Sequence, residues 1–264
     1  MPEDGRELET FATAILNAHR VNAKVFPILS TEVERMEACH TRWRAHRTPG
    51  AEHKARFDSF WQRCRSLLCV PCLDARKHDE ASDIHAAYEQ AMAGNRHLVP
   101  TLITFAGPEH PLEEAGACVN DAIAHWRRFA SRKTVKHAVA GYARGVELVV
   151  NHHRNTVHAQ TSALALVAKH NHVRQAGGWL ELWNAVRSHA PSDKVLCKQP
   201  DVSGPEGQAS LVDSMRRVAT VAIRPAHLCE SQSSGVVCDA GKLAKLRAAL
   251  RRRKLIIFGG AMRR

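Results

Sequence analysis

The sequence predicts an α+β fold, in which a helical N-terminal region precedes a domain with a central antiparallel sheet flanked by helices. Early in the chain, apolar residues recur at spacings of three and four, as at Leu8, Phe11 and Ile15, which is the period of an amphipathic helix. A group of cysteines follows. After it come three short apolar segments that are bounded by turn residues, as strands are: 99–105, 146–150 and 161–168.

Composition excludes several classes of protein. With 264 residues, of which 44% are hydrophobic and 24% charged, the chain can bury a core, so neither a disordered nor a fibrous protein is expected. The 38 Lys and Arg exceed the 26 Asp and Glu and give a net charge of +12. This excess favours a polyanionic partner, with nucleic acid before a membrane surface. A basic protein without such a partner is the alternative.

Nothing in the sequence indicates a membrane protein. No apolar run reaches the length that a bilayer-spanning helix needs. The first residues are acidic, whereas a secretory signal begins with a basic region. We therefore expect a cytoplasmic protein with no membrane partner.

Three of the eight cysteines lie in one short stretch with C-x4-C-x2-C spacing, namely Cys64, Cys69 and Cys72. A C-x2-C turn directs two thiolates at one tetrahedral ion, so the stretch predicts a structural zinc site. Cys39 is the candidate fourth ligand, with His40 and His78 as alternatives. Structural or redox-active thiols are the alternative to zinc. The four remaining cysteines are predicted to be scattered and buried.

Periodicity and turn residues place the other elements. Helices are predicted at 30–44, 75–92, 112–130, 179–188, 211–222 and 242–253. A hairpin with a long polar loop is predicted at 151–160, an irregular loop at 191–207 and a last strand at 255–258. Trp179 and Trp183, four apart on one helix, are expected in the core rather than in a base-stacking platform.

Two groups of cations give the positive charge a location. From Gly241 to the end there are nine Lys and Arg and no acid. A second group lies on the helix after the first strand. Both favour contacts with DNA phosphates, and a solvated surface is the alternative. The predicted DNA-binding residues are Arg127, Arg128, Arg132, Lys133, Lys136, Arg251, Arg252, Arg253 and Lys254.

The order of these features resembles a known family. Its motifs are CRSLLCVPC, VPTLITFAG, GYARGVELVV, WLELW and RKLIIFGG. Together they resemble the rolling-circle plasmid replication initiators, in the single-tyrosine branch of the HUH endonuclease superfamily. The resemblance implies an N-terminal helical and zinc-binding region at 1–97. It also implies an HUH-type initiator domain with a basic tail at 98–264. The implied partner is plasmid origin DNA, single-stranded or hairpin, and a homodimer is left open.

The resemblance also implies a divalent-metal site. In the family, histidines two apart on one strand hold Mg²⁺ or Mn²⁺, which polarises the scissile phosphate. The corresponding stretch here is 158–162, where His158 is retained and the two metal positions are Gln160 and Ser162. Glu147 matches a family glutamate. With His158 it would form only a weak divalent-metal site.

The family nucleophile is a tyrosine preceded by a glutamate, and both positions are changed here. The tyrosine position is Val221 and the glutamate position is Arg217. Valine cannot attack a phosphate, so nicking by the usual mechanism is not expected. Two hypotheses follow: an initiator that binds and nicks its origin, and a catalytically inactive DNA-binding relative or regulator, or a decaying plasmid remnant.

A third hypothesis is a metal-dependent hydrolase that uses histidines around one apolar segment, namely His152, His153, His158, His170 and His172. Two simpler roles are also predicted for single residues. His158 would be a loop residue or a phosphate contact rather than a lone metal ligand. Glu147 would pair with an arginine such as Arg144.

Overall fold

The computed structural model describes residues 5–25, 30–46, 64, 66, 68–95, 97–169, 176–186, 195–200, 204–219, 223–233, 235–251 and 253–263. The helices are α1 Gly5–Val25, α2 Ser30–His46, α3 Val70–Met92, α4 Ala115–Ser131, α5 Lys133–Ala138, α6 Ala176–Asn184, α7 Gly204–Val218 and α8 Ala240–Leu250. The strands are β1 Leu98–Pro111, β2 Val139–Asn151, β3 Thr156–Ala168, β4 Val195–Lys198, β5 Glu230–Gln232, β6 Gly235–Val237 and β7 Ile256–Gly260. Short 3-10 helices span Leu112–Glu114 and Pro225–His227.

The chain divides into two compact units. The helical unit comprises Met1–Arg76 and Ile223–Arg251, and the sheet unit comprises Lys77–Ala222 and Arg252–Arg264. One boundary falls inside α3 rather than at residue 97. The division at 97 came from the order of sequence motifs and stays a prediction about functional segments, whereas the two units are defined by packing.

The sheet unit contains a five-stranded antiparallel sheet in the order β4-β1-β3-β2-β7. The three strands predicted from the sequence are confirmed as parts of β1, β2 and β3. The central strand β3 pairs with both β1 and β2, for example through Leu164 opposite Leu102 and opposite Ala143. The predicted antiparallel arrangement of the sheet is therefore confirmed.

Each face of the sheet is covered by its own helices, because side chains alternate along a strand. On one face, Leu164 and Leu166 pack with residues of α3 and α7. We call this the α7 face. On the other, Ala163, Ala165 and Val167 pack with residues of α4, α5 and α6, and we call this the α4 face. Both faces of β3 are apolar in its second half, which explains why the sequence there is a continuous apolar run rather than an alternating one.

The α4 face holds an aromatic core. Trp183 stacks on Phe105 with ring centroids 4.2 Å apart, and Phe129 meets Trp183 edge-on at 5.5 Å. Trp179 and Trp183 are 0% and 2% exposed. The prediction that both tryptophans belong to the core is confirmed, since neither ring can stack on a base.

The helical unit is held by contacts among α1, α2 and α8. The Asn22 side-chain amide donates to the Ala240 carbonyl at 3.0 Å, and Glu32 of α2 forms an ion pair with Arg247 of α8. Asp239 caps α8 by accepting the Lys242 N–H at 2.8 Å. Such a cap satisfies one of the unpaired amides that every helix start presents.

Two predicted loops are wrong. The segment 191–207 contains β4, which pairs with the edge of β1 through Cys197 opposite Ile103, so a tertiary pairing overrides the local composition. The long polar loop at 151–160 is only a turn at 152–155, where Asn155 adopts a φ of 51°. Asparagine tolerates this left-handed conformation, which allows a tight hairpin. Consequently His158 lies in β3 and not in a loop.

Among the described residues, no helix combines the length and the apolar character needed to cross a membrane.

Candidate functional site

Four cysteines of the helical unit come together and form what we call the cysteine cluster: Cys39, Cys64, Cys69 and Cys72. Their sulfur atoms all lie within 4.8 Å of one another. The Cys72 sulfur is 3.3 Å from that of Cys64 and 3.6 Å from that of Cys39. A tetrahedral ion with metal–sulfur distances of about 2.3 Å requires sulfurs about 3.8 Å apart. The arrangement therefore fits one metal ion such as zinc.

The cluster is positioned by two helix segments. Cys39 lies in α2, and Cys69 and Cys72 lie at the start of α3, where the Leu73 N–H donates to the Cys69 carbonyl at 2.8 Å. Pro71 suits the first turn of a helix because an N–H there has no partner within the helix. The positive end of the helix dipole favours thiolates at this place.

The thiols also influence one another's protonation. Hydrogen bonding to Cys39, together with burial, raises the pKa of Cys64 and of Cys69, whereas hydrogen bonds from these two lower the pKa of Cys39. Only Cys64 is half-buried and the other three are buried. Four thiolates in such a place need a cation, so binding a metal would release protons.

The structure selects among the predicted fourth ligands. Cys39 belongs to the cluster, whereas His78 is exposed and lies outside it. The side chain of His40 is outside the described residues. Within the part of the chain that is described, no further group of three or more potential metal ligands converges, so the hydrolase hypothesis gains no support. His170 and His172 fall outside that part.

The other four cysteines are less uniform than predicted. Cys118 and Cys229 are buried, but Cys197 and Cys238 are half-buried. In addition, Cys229 and Cys238 are not scattered, because the neighbouring Cys238 side chain raises the pKa of Cys229. Cys229 directly precedes β5 and Cys238 directly follows β6, so recognising this hairpin in the sequence would have predicted that the two cysteines are neighbours.

The sheet unit contains a polar site on the α7 face, formed by Thr104, Glu147, Gln160 and Ser162. Glu147 lies opposite Gln160 in the sheet register, and Thr104 lies opposite Ser162. The hydroxyl oxygens of Thr104 and Ser162 are 3.0 Å apart. Glu147 and Ser162 are buried. A carboxylate, an amide and two hydroxyls thus occupy this face, and Gln160 and Ser162 offer no imidazole to a divalent ion.

The end of α7 lies directly beside the polar site. A Cβ at Gly145 would collide with the Val218 carbonyl oxygen, and Gly145 lies opposite Ser162 in the register. Only glycine permits this close approach of helix and strand. Arg217, near the end of α7, is exposed and pairs with Asp213 at 3.3 Å, and Val221 lies outside the described residues.

The structure does not pair Glu147 with Arg144, and a phosphate contact of His158 stays a prediction. Arg144 pairs with Ala163 and lies on the α4 face, whereas Glu147 lies on the α7 face. The Arg144 Nη1 donates to the Leu255 carbonyl at 3.0 Å. Burial lowers the pKa of Arg144 to about 10. His158 is a half-buried strand residue, and burial lowers its pKa, while Glu109 opposes the effect.

The two tyrosines are both committed to packing. Tyr88 is 6% exposed within the apolar cluster of the α7 face, and burial raises the pKa of its phenol. Tyr142 meets Trp126 edge-on at 5.1 Å, which places it on the α4 face. Neither phenol is therefore presented to an incoming strand beside the polar site.

Three of the predicted DNA-binding arginines donate hydrogen bonds to other groups of the protein. Arg128 and Arg132 donate to the Val186 and Ala185 carbonyls at 3.1 Å each, just beyond the end of α6. Arg253 donates to the Asn120 side chain at 2.8 Å. These arginines tie α6 and the C-terminal segment to α4, and their contact with DNA stays a prediction.

The remaining cations stay in solvent. Arg127, Lys133 and Lys136 are exposed along α4 and α5, and we call these three the α5 patch. Lys254 and, in the helical unit, Arg251 are also exposed. Arg252 lies outside the described residues. The α5 patch is a group of three exposed candidates close together in the chain, and its charge is available to a partner.

The fold and the sites define a mixed α and β protein with an antiparallel sheet, a possible four-cysteine metal centre and exposed cations. The sequence model of the family described as replication protein matches residues 57–264, which is most of the chain. The chain therefore belongs to this replication-protein family, and the membership supports a role in plasmid replication. No curated protein and no solved structure matches the chain.

Proposed function

We propose that this chain is a plasmid replication protein of the rolling-circle type that binds single-stranded or hairpin origin DNA without cutting it. The observation that carries the proposal is the composition of the polar site. The sheet register puts Glu147, Gln160 and Ser162 on one face beside the end of α7. This is where an HUH-type site would hold its metal, yet two of the three groups are poor ligands for a divalent ion.

The chemistry of nicking supports the same proposal. Nicking needs a nucleophile and an ion that polarises the phosphate. The family's tyrosine position is Val221, and Tyr88 and Tyr142 pack on opposite faces of the sheet. The Ser162 hydroxyl is already engaged with Thr104 at 3.0 Å. A protein that keeps the fold but lacks these groups would bind DNA and leave it intact.

Zinc in the cysteine cluster completes the proposal. Bound there, the ion would join α2 to the start of α3 and would act structurally, because four protein ligands leave no open position for a substrate. The half-buried Cys64 and three buried cysteines would all contribute thiolates. No Mg²⁺ or Mn²⁺ is part of the proposed function.

One nicking assay tests the proposal. The full-length protein is mixed with labelled hairpin and single-stranded origin DNA from its plasmid, with Mn²⁺ or Mg²⁺ present. We expect a shifted band in a native gel and no covalent protein–DNA adduct in a denaturing gel. An adduct, above all one mapped to Tyr88 or Tyr142, would contradict the inactive site. A protein that shifts no DNA would contradict the binding function.

Removing the α5 patch should weaken DNA binding. Each lost phosphate contact lowers the slope of log affinity against log salt by about 0.7 for single strands. The triple variant Arg127→Ala, Lys133→Ala, Lys136→Ala should therefore lose about two units of slope and at least roughly tenfold in affinity at moderate salt. Fluorescence anisotropy with a labelled single strand measures both.

A matched variant shows whether the loss of affinity depends on where the cations lie or only on the net charge of the protein. Lys24, Arg35 and Lys77 are also exposed, and changing all three to alanine removes the same charge from α1, α2 and α3. This variant should keep its salt slope. If both triple variants lose affinity equally, the α5 patch is not the binding surface.

A further inference from the structure

The hairpin of β5 and β6 in the helical unit is flanked by two cysteines. The register runs from Gln232 opposite Gly235 to Glu230 opposite Val237. Continued by one step beyond the two strands, the same register would bring Cys229 opposite Cys238. Opposed residues of an antiparallel pair have Cα atoms about 4.5 to 5.5 Å apart, which lies within the range of about 4.4 to 6.8 Å that disulfides span.

The two thiols influence each other and differ in accessibility. The neighbouring Cys238 side chain raises the pKa of Cys229, and both are free thiols. Cys229 is 4% exposed, whereas Cys238 is half-buried. An oxidant in solvent can thus reach Cys238 first, and Cys229 is in place to complete a bond to it.

We propose that Cys229 and Cys238 form a thiol modification site that is oxidised reversibly to a disulfide by a small-molecule disulfide such as oxidised glutathione. The site is separate from the cysteine cluster and from the proposed DNA binding. Persistent disulfides are rare in a reducing cytosol, where those that occur are usually transient and redox-sensing.

The exchange is balanced in two steps. The Cys238 sulfur attacks one sulfur of the small disulfide, forms a mixed disulfide and releases one small thiol. The Cys229 sulfur then attacks the Cys238 sulfur and releases the second small thiol. The protein loses two electrons and two protons, which leave with the two small thiols. The S–S bond of the oxidant breaks as the S–S bond of the protein forms.

The position of the bond gives it a structural consequence. Cys238 directly precedes Asp239, which caps α8, and Lys242 of α8 pairs with Glu230 of the hairpin at 2.7 Å. A disulfide would therefore fix the hairpin at the place where α8 begins. Oxidation should slow hydrogen exchange of the amides in the first turn of α8.

The experiment is a redox titration of the full chain, purified with zinc in the buffer. Samples equilibrated with reduced and oxidised glutathione are alkylated, digested and analysed by mass spectrometry. We expect a peptide pair joined through Cys229 and Cys238 that lacks two hydrogen atoms in mass and separates on treatment with dithiothreitol. Cys238→Ser should abolish the pair and leave Cys229 alkylated, whereas Cys197→Ser should leave its yield unchanged.

Other outcomes would overturn the proposal. Glutathione that stays on Cys238 without transfer would show that Cys229 cannot reach it. A disulfide that forms only in urea would belong to the unfolded chain. A second zinc ion per chain that protects both thiols from alkylation would make the pair a metal site instead.

Discussion

Replacing Cys72 by serine is expected to release the metal and to unfold the helical unit. The Cys72 sulfur lies 3.3 Å from that of Cys64 and 3.6 Å from that of Cys39, so this residue is central to the cysteine cluster. Serine is a poor ligand for zinc at neutral pH. The zinc content should fall from about one ion per chain to near zero, because the remaining three thiols cannot close a tetrahedral site.

The stability effect of this substitution should be large because a structural metal contributes directly to folding. The cluster residues pack with Leu16 and Met36 of α1 and α2, and the Cys39 thiol is the link from α2 to α3. Loss of the ion leaves three thiols and one serine hydroxyl in place of four metal bonds. The helical unit should then unfold at a temperature well below that of the wild type.

Elemental analysis measures the loss of zinc, and circular dichroism measures the lower unfolding temperature. A chelator added to the wild type should reproduce both. The control is Cys197→Ser, which changes a half-buried cysteine of β4 outside the cluster and should keep both zinc and melting temperature. A wild-type protein that contains no metal and still folds would refute the zinc site.

The sequence predicts this cluster almost completely, since the C-x4-C-x2-C spacing identifies Cys64, Cys69 and Cys72. The spacing does not identify the fourth ligand. Cys39, His40 and His78 are equally compatible with the spacing, and only the packing of α2 against the start of α3 selects Cys39. Local spacing determines ligands within one turn, whereas a distant ligand depends on tertiary structure.

Strand alternation explains one wrong expectation about the polar site. Residues 144 and 147 are separated by an odd number of positions in β2, and therefore Arg144 and Glu147 lie on opposite faces. The period of two could have excluded this pair from the sequence alone. By contrast, the bonds from Arg128 and Arg132 to carbonyls beyond α6 could not be predicted, because they depend on how α6 packs on α4.

The short edge strand β4 also depends on tertiary contacts that its local sequence does not predict. Val195–Lys198 lies between stretches rich in Pro, Ser and Asp, so its local sequence predicts a loop. It becomes a strand because Ile103 and its neighbours in β1 offer unpaired backbone groups at the sheet edge. The longer strands β1, β2 and β3 carry their own apolar signal, so the sequence predicts their apolar parts, although each strand is longer than predicted.

The register of β2 and β3 predicts that a divalent-metal site can be built on the α7 face. Gln160 and Ser162 are two apart on β3, so their side chains lie on one face, and Glu147 lies opposite Gln160. Replacing Gln160→His and Ser162→His would give two imidazoles and one carboxylate on the α7 face, a set that suits divalent transition metals. We expect Mn²⁺ affinity to rise at least roughly tenfold, about 1.4 kcal/mol.

Isothermal titration with Mn²⁺ on the folded double variant measures this gain, and circular dichroism verifies its fold. Adding Glu147→Gln to the double variant should remove the gain, because an amide oxygen carries no charge for the ion. The single variant Gln160→His should gain less than half as much free energy of Mn²⁺ binding as the double variant. A folded double variant with wild-type affinity would mean that the three positions do not converge on an ion.

Restored metal binding should not restore nicking. In the proposed function the nucleophile position is Val221, which has no atom able to attack phosphorus, and an ion without a nucleophile only polarises the phosphate. The double variant should therefore bind Mn²⁺ and still yield no covalent adduct with origin DNA. An adduct would require a nucleophile elsewhere in the chain, and peptide mapping would identify it. Adding Val221→Tyr to the double variant tests position 221 directly, and an adduct at that tyrosine would show that this position can supply the nucleophile.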